Sequence, residues 1–304
     1  MMRLRITPDL ALGCLLLSAF LAVALCAPLL TPYSPATQNL AEDLRPPSSE
    51  HLFGQDKLGR DVLSRVVYGA RVSVAVGLIV VAVCGTIGTA VGAIAGYVGR
   101  WVDDLLMRAI DVLLAFPGML LAIGLAAVLG PSLRNVLLAL CAIGWTGYAR
   151  LVRGEVLAWR QREFVSAAVA LGAGPVRVLT RHIVPQLLAP LLVQATFGMG
   201  GAIVAEASLS FLGLGVQPPT PSWGAMVNEG RSFLLIAPHI ALFPGLAIML
   251  TVLALNFLGD ALRDALDVRT LGSNVPVWPP DATAVQTPSS LPPGAGPAAP
   301  EASR

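Results

Sequence analysis

Apolar residues along this chain gather in long blocks, and a helix needs roughly 20 of them to cross a bilayer core of about 30 Å. Leu10–Leu30 meets that length without a charge, and so does the glycine-rich Val72–Tyr97. Ala109–Gly130 qualifies with one intruder, Asp111, and Ala237–Leu258 with His239 and Asn256. Two blocks are weaker: Asn135–Val152, interrupted by Arg150, and Leu187–Val216, which holds Gln194 and Glu206. Together they predict an all-α, polytopic membrane protein of six transmembrane helices, with both termini on one side.

The arginines choose the side. With the N-terminus inside, Arg3, Arg5, Arg100, Arg108, Arg150, Arg153, Arg160, Arg162, Arg177, Arg181, Arg263 and Arg269 all face the cytoplasm, and the short outer loops keep only Arg134 and Arg231. Basic excess in short inner loops sets topology, whereas long translocated loops count for little. The long outer stretch balances Arg45, Lys57, Arg60, Arg65 and Arg71 against Glu42, Asp43, Glu50, Asp56 and Asp61, which suits a folded element. The resulting division is a cytoplasmic N-terminus (1–9), a first span (10–30), a periplasmic segment (31–71) and a five-helix core (72–270) with a cytoplasmic loop at 153–185. A tail (271–304) follows, whose proline, alanine, serine and glycine cannot bury enough surface to offset ordering, so it is expected to be disordered. Met1–Leu30 reads as a retained anchor, because its apolar stretch exceeds the 7–15 residues of a signal peptide and no small-x-small cleavage site follows.

Composition agrees with a bilayer: 55% of the 304 residues are hydrophobic and 12% charged, where soluble domains carry about 25% charged residues. A net charge of +2 without basic blocks gives no reason to expect nucleic acid as a partner. Cys14, Cys26, Cys84 and Cys141 lie inside apolar runs with no metal-site spacing, so no metal is expected. The sole lysine, Lys57, is followed by Leu58, so no phosphate-binding Gly-Lys-Ser/Thr loop exists. His51, His182 and His239 fall in three different regions, and neither a Gly-x-Ser-x-Gly elbow nor a His-Glu-x-x-His helix occurs, so nothing assembles as an enzyme.

The polar loop holds the candidate chemistry. Val165, Ala168, Val169 and Gly172 recur at helical spacing, and Gly172 with Gly174-Pro175 supplies a helix stop and a restart. This predicts two short helices with a sharp elbow and small residues facing outward on the first. Such an elbow lets another protein's groove approach the backbone; an amphipathic hairpin lying on the membrane surface is the alternative reading.

Ser166-Ala167-Ala168-x-x-x-Gly172, with Pro185 thirteen positions on, resembles the Glu-Ala-Ala loop of ATP-binding-cassette importer permeases. His51–Arg65 and Tyr68–Arg71 resemble the segment before the second span in the dipeptide/oligopeptide (and nickel) branch, and Glu206–Gly215 and Pro221–Gly224 its fifth span and outer loop. The likeness covers roughly residues 5–270. It implies a type I importer permease fold in the inner membrane, forming half of a pathway with a second homologous permease. It further implies two ATP-binding subunits that carry ATP and magnesium themselves, a substrate-binding protein outside, and alternating access driven by ATP. No cofactor is expected on this chain. Peptide cargo is implied first, with nickel or glutathione as alternatives; an ion-driven secondary transporter is the remoter rival. In the family the loop docks into the ATPase, which assigns Glu163, Ser166, Ala167, Ala168, Gly172 and Pro185 to coupling. Ser166 stands where the family has glutamate, and Glu163 lies one turn earlier on nearly the same face.

Glu206 sits in otherwise apolar sequence. Such residues face a bundle interior or a water path, so it either lines the pathway or pairs with a hydroxyl or backbone group to fix packing. Asp111, within a turn of Arg108, reads as a local pair. Gly88, Gly92 and Gly96 form a small ridge that predicts close helix crossing. Pro117-Gly118 and Pro244-Gly245 predict bends.

Overall fold

The computed structural model describes residues 8–266; the tail expected to be disordered lies outside them, as does most of the N-terminal segment. The first apolar block forms α1 (Pro8–Leu25) and, after a break at Cys26, the single turn α2 (Ala27–Leu30). Pro28 lacks an amide hydrogen and its ring collides with the carbonyl one turn back, so the block cannot run on as one helix.

The next helix, α3 (Val62–Val98), begins ten residues before the expected Val72. Asp61 starts it, its carboxylate accepting from the Ser64 amide and hydroxyl, both at 2.7 Å, as N-cap residues do. Arg65 and Arg71 had marked this stretch as non-spanning, but Arg65 is buried in ion pairs with Asp56 and Glu229. Thirty-seven residues at 1.5 Å each make a rod of about 55 Å, longer than a bilayer core.

The third expected span is broken. Here α4 (Arg100–Leu114) and α5 (Gly118–Leu129) meet at 78°. Pro117 drives Phe116 out of helical conformation, and α4 is amphipathic rather than lipid-like. Its acidic face turns to α6 (Leu133–Arg160): Asp103 takes both ends of the Arg153 guanidinium at 2.7 and 2.6 Å, and Asp111 pairs with Arg150. The expected local partner of Asp111, Arg108, is therefore replaced by an arginine 39 positions away on another helix.

After α7 (Glu163–Ala170) and the short α8 (Pro175–Arg177), the chain stays helical to the end of α9 (Leu188–Phe211), passing through a wide π-turn at Val178–Ile183 and a tight turn at Val184–Leu187. A short helix, α10 (Trp223–Gly230), precedes α11 (His239–Leu266), which absorbs Pro244 without a break. Among the described residues, four helical stretches are long and apolar enough to cross a membrane: Val62–Val98, Leu133–Arg160, Pro175–Phe211 and His239–Leu266. The bent α4–α5 pair is a fifth candidate, and α1 is a shorter apolar helix. The expected six blocks are thus all helical, but only four are uninterrupted spans by length and composition.

The glycine ridge seats α3 on α6. A Cβ at Gly88 would lie 2.4 Å from the Tyr148 Cβ, at Gly92 2.4 Å from the Ala149 carbonyl oxygen, and at Gly96 2.9 Å from that of Arg153. The helices touch backbone to backbone where only glycine fits, which gains dispersion contacts in a setting without a hydrophobic driving force between spans.

Candidate functional site

The elbow bends where the sequence predicts, but only its first helix is short: α6 runs on to Arg160, and the restart at Pro175 continues as one helical stretch to Phe211. Arg162 is extended, α7 runs through Glu163–Ala170, and Gly172 turns the chain with φ +86°. Pro175 then occupies the first turn of the restart, where its missing amide hydrogen costs nothing. Val165 is the anchor: it is buried with Ala93, Val152, Val156, Val178, Ile183 and Leu187, so the elbow is bolted to the C-terminal ends of α3 and α6 and to the N-terminal end of the α9 rod. Fully burying such a side chain contributes about 1.5–3 kcal/mol.

Around that anchor the candidate residues point outward. Glu163, Ser166, Ala167 and Gly172 are exposed and Ala168 is half-buried. The Ser166 hydroxyl donates weakly to the Arg162 carbonyl at 3.4 Å and borders a groove of about 380 Å³ shared with Tyr97, Arg160, Val165 and Val169. Pro185 stands apart in the tight turn within the Pro175–Phe211 rod, exposed but not on the elbow tip. Two residues missed at the sequence level complete the surface: Leu171 and Val176, 89% and 74% exposed, flank the bend. Large apolar residues inside an otherwise polar, arginine-rich loop were the available signal.

Glu206 is a different kind of site. It is 1% exposed, and its Oε1 accepts hydrogen bonds from the Ser210 hydroxyl at 2.6 Å and the Ser222 hydroxyl at 2.9 Å. Ser222 precedes α10, so the carboxylate ties the C-terminal end of α9 to the start of α10. An apolar cavity of about 300 Å³ lies among α3, α5, α6 and α9, with Ala202 and Ala205 in its wall; Glu206 is not part of that wall. Replacing Glu206 by alanine should strand two buried hydroxyls and cost about 2–4 kcal/mol, read as a loss of melting temperature. Glu206→Gln keeps an acceptor for both and should retain assembly and uptake. An assembled glutamine variant that cannot transport would show instead that the charge itself is needed in the pathway.

His51 and His239, expected in separate regions, both meet the 31–71 segment: His51 Nδ1 lies 2.9 Å from Asp61, and His239 Nε2 lies 3.1 Å from the Gln55 carbonyl oxygen.

The chain has relatives among known proteins. Residues 88–272 match the family described as binding-protein-dependent transport system inner membrane component. The chain belongs to that family. The importer permease is 49% identical over 255 residues to the dipeptide transport system permease protein DppC of Alkalihalophilus pseudofirmus, covering 84% of each chain. It is 50% identical over 226 residues to the glutathione transport system permease protein GsiD of Escherichia coli, covering 74% of this chain and 75% of that one. It is therefore a member of the ATP-binding-cassette importer permeases, whose relatives are transport subunits and whose family works with ATP-binding and substrate-binding partners.

Proposed function

We propose that the permease forms half of an import pathway for short peptides across the inner membrane, with both termini and residues 153–185 in the cytoplasm. A second homologous permease supplies the other half. Two ATPase subunits, which alone hold ATP and magnesium, grip the elbows, and an external binding protein delivers cargo. ATP-driven closure draws the two elbows together and turns the cavity outward; hydrolysis resets it. The observation that carries this reading is the elbow's architecture: exposed small residues and the bare apolar pair Leu171 and Val176 stand on a buried anchor, so a push on the tip reaches three rods. Both named relatives carry peptides in the chemical sense, since glutathione is a tripeptide, which favours peptides over nickel.

The test is cross-linking. After the exposed Cys14 and Cys26 are replaced, single cysteines at Ala167, Ala170 and Leu171 should join to the ATPase subunit, with a yield that changes on adding nucleotide. A cysteine at Val128, 86% exposed on α5, should not. If no elbow position joins in a complex that hydrolyses ATP and transports, the docking reading is wrong.

A further inference from the structure

The outer helix α10 is fastened at both ends. At its start, Ser222 donates to Glu206 on α9 at 2.9 Å, and the Trp223 indole N–H donates to the Val66 carbonyl of α3 at 2.8 Å. Glycines let these elements meet: a Cβ at Gly224 would fall 2.0 Å from the Ala207 carbonyl oxygen, and one at Gly69 2.8 Å from the Trp223 ring. At its far end, Glu229 accepts from Arg60 at 2.9 Å and from Arg65 at 2.8 Å. Asp56 holds the same two arginines, taking Arg60 Nε at 2.7 Å and pairing with Arg65. Asp56, Arg60 and Arg65 are each less than 5% exposed. Charges removed from water hold their geometry firmly, because losing one partner leaves another charge buried alone.

The position of these fastenings distinguishes them from ordinary packing. Arg65 and Val66 lie in the first two turns of α3, and Glu206 in the last two turns of α9. The opposite end of α3 brings Ala93 and Tyr97 to the cluster around Val165, and the opposite end of the α9 rod brings Val178, Ile183 and Leu187 to it. The same two rods thus join α10 outside to the elbow inside.

We propose that Glu229, with Asp56, Arg60 and Arg65, and Ser222 with Trp223, are positioning residues that make α10, the outer segment and the outer ends of α3 and α9 one body. This body passes the arrival of a loaded binding protein to the elbow. The inference rests on the import function proposed above. Rigid elements with two arrangements are what carry coupling between distant sites, and such coupling is typically worth 5- to 150-fold.

The complete complex in proteoliposomes provides the test, read as ATP hydrolysis without and with substrate-loaded binding protein. Glu229→Gln keeps the shape of the side chain and removes its charge. It should leave basal hydrolysis near the wild-type rate and cut the stimulated increment by about 5-fold or more. Ser222→Ala and Trp223→Phe, which delete one hydrogen bond each at the other fastening, should do the same more weakly, and they carry the test if the glutamine variant does not assemble. Full stimulation in variants that merely melt at lower temperature would overturn the proposal and leave the network structural. A wild-type complex that shows no stimulation, or retains no ATPase, would instead overturn the import function beneath it.

Discussion

Replacing Gly92 by leucine is expected to cost the folded permease at least about 3 kcal/mol, the upper range for overpacking a tight interface. The new Cβ alone would sit 2.4 Å from the Ala149 carbonyl oxygen, 2.9 Å from the Val152 Cβ and 3.0 Å from the Arg153 amide. Two of those atoms are backbone and cannot rotate aside, so α3 and α6 must separate along their whole contact. Against a typical total of 5–15 kcal/mol, that loss should appear as poor yield and a lower melting temperature in detergent. Gly85→Ala is the control on the same helix: its Cβ would rest 3.8 Å from the Tyr148 ring, ordinary contact, and alanine is the better helix former. A leucine variant at Gly92 that melts with the wild type would mean the two helices do not pack this way.

How far the sequence reveals such features depends on the range over which they act. The glycine ridge and the stop at Gly172 are local patterns whose physics is complete within a few residues, so both could be read directly, and the structure shows both. The start of α3 could not, because what keeps Arg65 in a buried helix is Glu229, 164 positions away. The same distance hid the fastening of α10. The third block is a candidate span only as the bent α4–α5 pair: hydropathy counts apolar residues but not direction, and the α6 arginines that pair with Asp103 and Asp111 lie 50 and 39 positions away in sequence. Pro117 marked the break, and ion pairs tie α4 to α6 beside the 78° bend. Glu206 was legible as a costly residue, while its partner Ser222 comes from the far side of the 212–222 loop. The bend at Gly172 followed from sequence, the long helix after Pro175 did not, and the docking role rests on the proposal made for it.

Gly172→Val should separate ATP hydrolysis from transport. Gly172 has φ +86°, and no atom lies within 4 Å of where a Cβ would stand, so the change brings no clash and acts through the backbone alone. A β-branched residue in the left-handed region carries a strain of at least about 1–2 kcal/mol. The exposed tip is free to relieve it by leaving that conformation, since Val165 anchors the helix before the bend and Val178 the chain after it. Leu171 and Val176 then lose their common placement, and the population with a docking-competent elbow falls about 5- to 30-fold. Uptake of a labelled peptide per ATP consumed should fall in proportion, with melting temperature and basal hydrolysis little changed. Gly172→Asn should restore most of the coupling, because asparagine tolerates the left-handed region. That rescue separates a requirement for backbone shape from a requirement for an empty surface at this point. If valine and asparagine fail equally, the ATPase needs bare glycine against it; if both transport normally, the bend at Gly172 carries no force.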